Sequence, residues 1–167
     1  MIIKKTKLDG VLKIKLDVFD DHRGYYIERY NRPLYEEKNI KTKFIQDDIS
    51  VSRKNVLRGI HGDDKTWKLI SCIYGRFYLL VVNNDSLSKQ FKKWESFTLS
   101  EKDCTQILIP PKFGNGHLVL TDKAIFHYKQ STLYCPDNQF TIFWDDPNFQ
   151  FDWPIKNPIL SNRDKSK

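Results

Sequence analysis

The feature that most constrains the fold is a succession of short strand-like segments, separated by turn residues, with almost no helical periodicity. The expected strands are Val11–Phe19, Tyr25–Tyr30, Phe44–Ile45, Val56–His61, Lys68–Tyr74, Phe77–Val82, Glu95–Leu99, Gln106–Pro110, His117–Thr121, Ile125–Ser131 and Phe140–Trp144. The expected turns include Asp20-Asp21, Asn83–Asp85, Gly114–Gly116 and Pro136–Asn138. Only Pro33–Asn39, which a proline opens, has the pattern of a short helix, and Ser100–Asp103 could add one helical turn. Many short strands with so little helix predict an all-β sandwich or barrel.

The charge of the chain favours an anionic partner. Its 167 residues include 28 Lys and Arg against 21 Asp and Glu, which gives a formal net charge of +7. Such a surface suits nucleic acid, a membrane surface or a phosphorylated metabolite. Basic and aromatic residues interleave at Lys89–Trp94, as in single-strand binders, but the positive charge is spread along the chain, as on solvated edge strands. We therefore predict that no nucleic acid is bound.

The apolar runs and the cysteines indicate the compartment. No apolar stretch follows the charged N-terminal residues, and the longest apolar run, Phe77–Val82, is far below the roughly 20 residues of a membrane helix. Cys72, Cys104 and Cys135 are odd in number and widely spaced, which fits neither a disulfide framework nor a zinc site. The sequence predicts a soluble, reduced, cytoplasmic protein without membrane contact, in which Cys72 is a buried strand residue.

His61 is the histidine whose neighbours are best suited to chemistry. Arg58 precedes it by three residues and Lys68 follows it by seven. Two fixed cations near an imidazole favour its neutral form, which can accept a proton near neutral pH. A purely structural strand-end histidine is the alternative. Because the chain has no His-x-His pair and lacks the facial-triad ligand set, we predict that it holds no metal.

An ordered set of motifs then links the chain to a known family. The pattern FxDxRGxxxE is matched by Phe19–Glu28. The motifs that follow, in order, are Phe44–Asp47 with Ser50, Asn55–His61, Lys68-Leu69, Ile109-Pro110, Tyr128-Lys129, Trp144–Pro147, Trp153-Pro154, and Leu160-Ser161 with Asp164. Each motif alone is weak, but the ordered set, over about residues 10 to 165, resembles the dTDP-4-dehydrorhamnose 3,5-epimerase family.

The resemblance implies a fold, an assembly and a substrate. The fold would be an all-β, cupin-type jelly-roll barrel, or double-stranded β-helix, with a short helix or two. Residues 1–167 would form a single domain whose tail, residues 161–167, is partly frayed, and two copies would form a homodimer with exchanged N-terminal strands. The substrate would be a nucleotide diphosphate sugar with a ketone at C4. A neutral imidazole can remove the proton α to a ketone if the enolate is stabilised, so no cofactor is required.

The resemblance also distributes roles among residues of this chain. His61 would be the base, and Asp164 would be the carboxylate that orients its ring. Lys68 would face the developing C4 oxyanion, and Tyr128 would deliver a proton to the other face. The expected substrate contacts are Gln46, Asp47 and Arg58 around the sugar and pyrophosphate, and Arg23, Tyr26 and Glu28 at the nucleotide, from the neighbouring subunit.

Two departures from the family pattern bear on the substrate. The family usually has FAHGF where this chain has Phe113–His117, so that Asn115 takes the histidine's place and His117 follows two positions on, on the same face of a strand. The usual HxQ is replaced by His61-Gly62-Asp63. Both departures resemble a branch that acts on GDP-4-keto-heptoses in bacterial capsule polysaccharide biosynthesis. We therefore expect Asn115 and His117 to be substrate-binding residues and the substrate to be a GDP-4-keto-heptose, inverted at C3 alone or at C3 and C5.

Three other functions remain open from the sequence. A dTDP-4-keto-6-deoxyhexose 3,5-epimerase would have the same residues and a different substrate. A related 3,4-ketoisomerase would share the enolisation step but move the carbonyl. A non-catalytic module would use the barrel to bind a nucleotide or a saccharide.

Overall fold

Antiparallel strands account for most of the regular structure in the computed structural model, which describes residues 1–165. The strands are β1 (Ile2–Lys5), β2 (Leu12–Lys15), β3 (Phe19–Asp21), β4 (Gly24–Tyr26), β5 (Gln46–Arg53), β6 (Leu57–Gly62), β7 (Lys68–Tyr74), β8 (Arg76–Asn83), β9 (Trp94–Ser100), β10 (Thr105–Ile109), β11 (Phe113–Val119), β12 (Lys123–Gln130) and β13 (Phe140–Thr141). The helical elements of these residues are α1 (Arg32–Glu37) and a 3₁₀ turn at Pro136–Asn138. The predicted all-β class is confirmed.

The strands form two facing sheets and one hairpin. A six-stranded sheet has the order β1-β2-β10-β7-β12-β5, and a five-stranded sheet has the order β13-β6-β11-β8-β9. The paired strands in both sheets run antiparallel. Within the described residues, β3 and β4 pair only with each other. This double-sheet arrangement is the jelly roll that the resemblance implied.

Hydrophobic side chains are buried on both faces of the central strands. Between the sheets, Ile70 and Ile107 of the first sheet pack with Phe77 and Leu79 of the second. The outer face of the six-stranded sheet is covered by the segment around α1, and that of the five-stranded sheet by the residues that follow β13. Two-sided burial explains why Phe77–Val82 is a continuous apolar run instead of an alternating one.

Several predicted boundaries are corrected by the structure. The helix predicted at Pro33–Asn39 is present as α1, with Asn31 at its N-cap accepting a hydrogen bond from the Leu34 N–H at 3.4 Å. Strand β5, in contrast, begins where the strand predicted at Phe44–Ile45 was expected to end. Its sequence alternates because the polar residues Gln46, Asp48, Ser50 and Ser52 share the less exposed face, while Ile49 and Val51 are exposed on the other.

The turn predicted at Gly114–Gly116 lies inside β11. These glycines are needed for close packing, because a Cβ on Gly114 would come within 2.7 Å of Ile60 Cγ2. Cys72 is buried at 2% exposure, as predicted. Within residues 1–165, no helix is long and apolar enough to cross a membrane.

Candidate active site

A pocket of about 310 Å³ opens between the two sheets. Its lining residues are Ser50, Arg58, His61, Lys68, Asn115, His117, Phe126, Tyr128, Gln130, Tyr134, Gln139, Ser161, Arg163 and Asp164. Among these described residues, three cations (Arg58, Lys68 and Arg163) face one carboxylate, that of Asp164. This excess of positive charge suits an anionic ligand.

His61 and Asp164 form a hydrogen-bonded pair in this pocket. His61 Nε2 lies 2.7 Å from Asp164 Oδ1, and the Asp164 side chain is 5% exposed. Burial acts to raise the pKa of Asp164, but hydrogen bonds from His61 and Ser161 together outweigh it and the pKa is lowered. The carboxylate is therefore ionised and can only accept, so Nε2–H of His61 donates to it, and in the neutral ring this tautomer has its lone pair on Nδ1. The hydroxyl of Thr141 lies 3.3 Å from Nδ1.

The C-terminal segment reaches His61 by pairing with the start of β6. Val56 and Ile159 form a parallel bridge, and the Leu57 N–H donates to the Ile159 carbonyl at 3.0 Å. A turn then holds Asp164, whose Oδ2 accepts from Ser161 Oγ at 2.8 Å. Asp164 is thus buried within the tail that the sequence predicts to fray, whereas Ser166 and Lys167 lie outside the described residues.

Gly59 and Gly62 on β6 are required because β11 and β13 approach them too closely for a side chain. Gly59 has a φ of +111°, and a Cβ there would lie 2.7 Å from the Asn115 carbonyl oxygen. A Cβ on Gly62 would clash with the Phe113 carbonyl and the Phe140 ring. Gly62 is therefore required by packing, and the departure from HxQ lies at Asp63 alone. Asp63 Oδ1 likewise accepts from the Thr66 N–H at 2.7 Å and does not line the pocket.

Lys68 starts β7 and extends across the pocket to the opposite sheet. Its Nζ donates to Asn115 Oδ1 at 3.1 Å and lies 3.4 Å from the His61 carbonyl oxygen. Burial lowers the pKa of Lys68 to about 8, while Asp63 opposes this effect and Arg163 adds to it. Its ammonium is thus available as a hydrogen-bond donor at neutral pH, next to the backbone of the proposed base.

Tyr128 lines the pocket from β12, on the wall opposite His61. Burial raises the pKa of its phenol to about 12, and the neighbouring Asp48 and Tyr134 add to the effect. Asp48 is the cross-strand partner of Tyr128, and its Oδ2 accepts from Gln46 Nε2 at 2.8 Å and from Gln130 Nε2 at 3.1 Å. Tyr128 therefore keeps its proton near neutral pH and has one to donate.

Asn115 and His117 both line the pocket, as the sequence predicts for two residues on one strand face. His117 is 4% exposed and stacks on Phe126, with ring centroids 4.1 Å apart and an interplanar angle of 8°. Burial lowers the pKa of His117 to about 3, with Arg58 adding to the effect and Asp164 opposing it. Its imidazole is therefore neutral.

Two predicted pocket residues lie elsewhere. Asp47 is on the outer face of the six-stranded sheet, because successive strand residues alternate between faces. There its carboxylate accepts from His127 Nε2 at 2.6 Å and bonds to Lys129. Gln46 does not line the pocket either, but its Oε1 accepts from the N–H of Tyr134, a lining residue, at 2.7 Å. The prediction that Asp47 lines the pocket is thus corrected.

The three residues predicted to bind the nucleotide lie on the β3–β4 hairpin and just after it. Arg23 pairs with Asp21 at 2.6 Å, and Tyr26 is 65% exposed. The Glu28 carboxylate accepts from Asn31 Nδ2 at 3.1 Å. None of the three lines the pocket of its own chain, so their reach into the site of a second copy stays a prediction.

The structure adds pocket residues that the sequence did not single out. Arg163, the neighbour of Asp164, donates to the Tyr134 hydroxyl at 3.3 Å and to Gln139 Oε1 at 3.1 Å. In the sequence, the one indication that Arg163 lies in the pocket is its position next to Asp164 in the last motif. In the described part of the chain, no group of three or more His, Cys, Asp or Glu side chains is placed to hold a metal ion.

Comparison with known proteins identifies the family. The family model described as dTDP-4-dehydrorhamnose 3,5-epimerase matches residues 5–167. The chain belongs to this family. The enzyme of that name from Shigella flexneri is 36% identical over 168 residues, which cover 98% of this chain and 93% of the relative. Its counterpart from Methanothermobacter thermautotrophicus is 34% identical, over 97% of this chain and 90% of the relative.

A solved structure extends the likeness to three dimensions. The dTDP-6-deoxy-D-glucose-3,5-epimerase of Legionella pneumophila, in complex with dTDP-4-keto-L-rhamnose, superposes with a TM-score of 0.93 at 34% identity. The match covers 98% of this chain and 89% of that one. The chain therefore has the cupin-type fold of the family and is an isomerase of the epimerase class. These relatives are dTDP-sugar enzymes and give no support to the GDP-heptose branch expected from the sequence.

Proposed function

We propose that the pocket epimerises a nucleotide-diphosphate 4-keto sugar at C3 and C5, with a dTDP-4-keto-6-deoxyhexose as substrate. The observation that carries the proposal is the buried His61–Asp164 pair at 2.7 Å, in one pocket with Lys68 and Tyr128. The names of the relatives support a dTDP-sugar. The cationic lining of the pocket suits a diphosphate.

Proton removal begins at His61. Because Nε2–H is held by Asp164, Nδ1 carries the lone pair that takes the proton from the carbon next to the ketone. The Asp164 carboxylate then stabilises the imidazolium that forms. The bond to hydrogen breaks, and its electron pair moves towards the C4 oxygen as the enolate forms.

The enolate needs a cation, and Lys68 supplies one. Its ammonium has one donor directed at Asn115 and can direct another at the C4 oxygen. A buried cation stabilises an oxyanion far better than an exposed one, because little water screens the interaction. Asn115 therefore acts on the reaction by aligning Lys68.

Inversion requires a new proton on the opposite face of the carbon. Tyr128 belongs to the six-stranded sheet and His61 to the five-stranded sheet, so the two side chains flank the ligand from opposing walls. The phenol donates its proton to the enolate carbon and regains one from solvent. The same pair of groups serves C3 and C5, since both carbons neighbour the ketone.

We also propose that two copies associate, so that the β3–β4 hairpin of one reaches the pocket of the other. Support comes from exposed apolar side chains on this hairpin and on the edge strand β5, where Tyr25 is 63%, Tyr26 65% and Ile49 64% exposed. Sedimentation equilibrium should give a dimer, and Tyr26→Ala should weaken nucleotide binding with no loss of fold. A monomer with full activity would contradict the proposal.

Deuterium wash-in tests the reaction. Incubation of dTDP-4-keto-6-deoxyglucose with the enzyme in deuterated water should place deuterium at C3 and C5, and His61→Asn should abolish the incorporation. A product with a moved carbonyl would indicate a 3,4-ketoisomerase instead. Binding without exchange would indicate a non-catalytic module.

A GDP-4-keto-heptose is the second candidate substrate. The observation in its favour is that the departures at Asn115 and His117 both lie in the pocket, whereas the departure at Asp63 does not. Parallel wash-in with a GDP-4-keto-heptose decides between the two. Exchange with this sugar alone would replace the dTDP-hexose as substrate, and deuterium at C3 alone would reduce the activity to a 3-epimerase.

A further inference from the structure

The Thr141 hydroxyl contacts the nitrogen that the proposed mechanism uses as its base. Thr141 on β13 is the cross-strand partner of His61 on β6, and its Oγ1 lies 3.3 Å from His61 Nδ1. The other ring nitrogen, Nε2, lies 2.7 Å from Asp164, whose side chain is 5% exposed. A proton on Nε2 is therefore enclosed, whereas a proton on Nδ1 has the Thr141 hydroxyl within reach.

Each inversion in the proposed mechanism leaves His61 with an additional proton. His61 takes this proton from the carbon, and the new proton on the opposite face comes from Tyr128. The His61 imidazolium must therefore lose its proton before it can act as a base again. If C3 and C5 are inverted in one binding event, this loss has to take place while the sugar fills the pocket.

Thr141 connects His61 Nδ1 with solvent. Thr141 is partly buried, and its Oγ1 accepts at 3.5 Å from Nη2 of Arg163, an exposed residue that lines the pocket. A hydroxyl has one hydrogen and two lone pairs, so Oγ1 can accept from Arg163 and from Nδ1–H while its own hydrogen is directed at water. A guanidinium cannot take up another proton, so the proton leaves through the hydroxyl and not through Arg163.

We propose that the Thr141 hydroxyl is the route by which His61 returns its proton to solvent, which makes Thr141 a positioning residue for the second inversion. This inference rests on the proposed function and deepens it. In the free enzyme the hydroxyl donates to the Nδ1 lone pair, and the substrate C–H takes its place on binding. After proton transfer, the Nδ1–H bond breaks as a new Oγ1–H bond forms, and the original hydroxyl proton passes to water. His61 is then neutral and Thr141 has its hydroxyl again.

The proton on Nδ1 thus has two destinations, the Thr141 hydroxyl and the carbon from which it came. In deuterated water, Tyr128 places deuterium in the product, whereas exchange at His61 followed by return to carbon places deuterium in the recovered substrate. Without the hydroxyl, return to carbon precedes exchange, and the recovered substrate keeps its original hydrogen. The ratio of deuterium in recovered substrate to deuterium in product therefore reports on the route through Thr141.

Thr141→Val, which replaces the hydroxyl by a methyl group of similar size, tests the route. With dTDP-4-keto-6-deoxyglucose at low conversion, this ratio should fall by about tenfold or more, a modest part of what a positioned proton-transfer group contributes. The fraction of product inverted at only one of the two carbons should rise. Thr141→Ser should retain the wild-type values. Thr98→Val, exposed on β9 at the opposite edge of the same sheet, is the matched control and should change neither.

The outcomes separate this route from the proposed function. Wild-type values in Thr141→Val would overturn the route alone, and so would a Thr141→Ser protein that behaves like Thr141→Val. An equal loss of deuterium from substrate and product in Thr141→Val would also overturn it, because a displaced imidazole slows both. In the wild type, deuterium in the product without deuterium in the recovered substrate would overturn it with no variant at all. No deuterium in either would overturn the proposed function, and the route with it.

Discussion

Replacing Lys68 by methionine should stabilise the fold while it abolishes catalysis. Lys68 is 6% exposed, and burial lowers its pKa from 10.5 to about 8. At about 1.4 kcal/mol for each pKa unit, the buried ammonium costs about 3 kcal/mol of folding free energy at neutral pH. Methionine has a similar shape and no charge. Loss of the hydrogen bond to Asn115, worth about 1 kcal/mol, offsets part of the gain and leaves about 2 kcal/mol.

The stabilisation should depend on pH in a defined direction. Below pH 8 the Lys68 side chain is charged in both the folded and the unfolded state, so the full cost applies. Between pH 8 and 10.5 the unfolded state binds more protons, and the stability of the wild type therefore rises with pH. Above pH 10.5 both states are neutral and the cost is gone. The advantage of Lys68→Met should shrink over this window.

Urea unfolding at pH 6.5 and pH 10, at one fixed protein concentration, measures both effects. Lys4→Met, at an exposed edge-strand position, is the control and should change the free energy of unfolding by less than about 0.5 kcal/mol. A Lys68→Met protein that is less stable than the wild type at pH 6.5 would refute the reasoning. So would a difference of the same size at pH 10, because it could not come from the buried charge.

Three further variants test the roles assigned in the pocket. Asp164→Asn should lower kcat by about 100-fold or more, because an amide cannot stabilise the imidazolium of His61, and a rate near wild type would remove Asp164 from the mechanism. Tyr128→Phe should slow inversion by about 100-fold, while deuterium should still enter the recovered substrate. If the rate of deuterium entry fell as much as the rate of inversion, Tyr128 would belong to the first proton transfer instead. The wild-type rate should fall above about pH 8 as Lys68 loses its proton, and Lys68→Arg should retain a flat profile to higher pH, though at a lower rate.

The motifs singled out residues on β6, β7 and β12 and in the C-terminal turn that the structure brings together. His61, Lys68, Tyr128 and Asp164 all line one pocket, although Asp164 lies 103 residues from His61. Spacing alone could not have paired them, because the pairing depends on the bridge between Val56 and the C-terminal segment. Only the resemblance to the family predicted that His61 and Asp164 form a pair.

The predictions failed where a glycine or a polar residue is required by contacts between strands and not by the local sequence. The glycines around Asn115 have the composition of a turn, but the structure uses them to let Ile60 and Arg58 approach β11. Strand β5 was not recognised because its less exposed face is polar, and without its register no face could be assigned to Asp47. Both errors concern contacts between strands that are distant in sequence.

The position of Asp47 on the outer face of the sheet explains why the Tyr128 side chain faces the pocket. A slip of one residue in β12 would turn Tyr128 outwards and bring His127 into the pocket, because side chains alternate along a strand. On the outer face, His127 Nε2 donates to Asp47 Oδ1 of β5 at 2.6 Å, and its Nδ1 accepts from Ser71 Oγ of β7 at 2.9 Å. His127 thus ties β12 to both of its neighbours. A polar network outside the pocket therefore fixes the register on which the placement of Tyr128 opposite His61 depends.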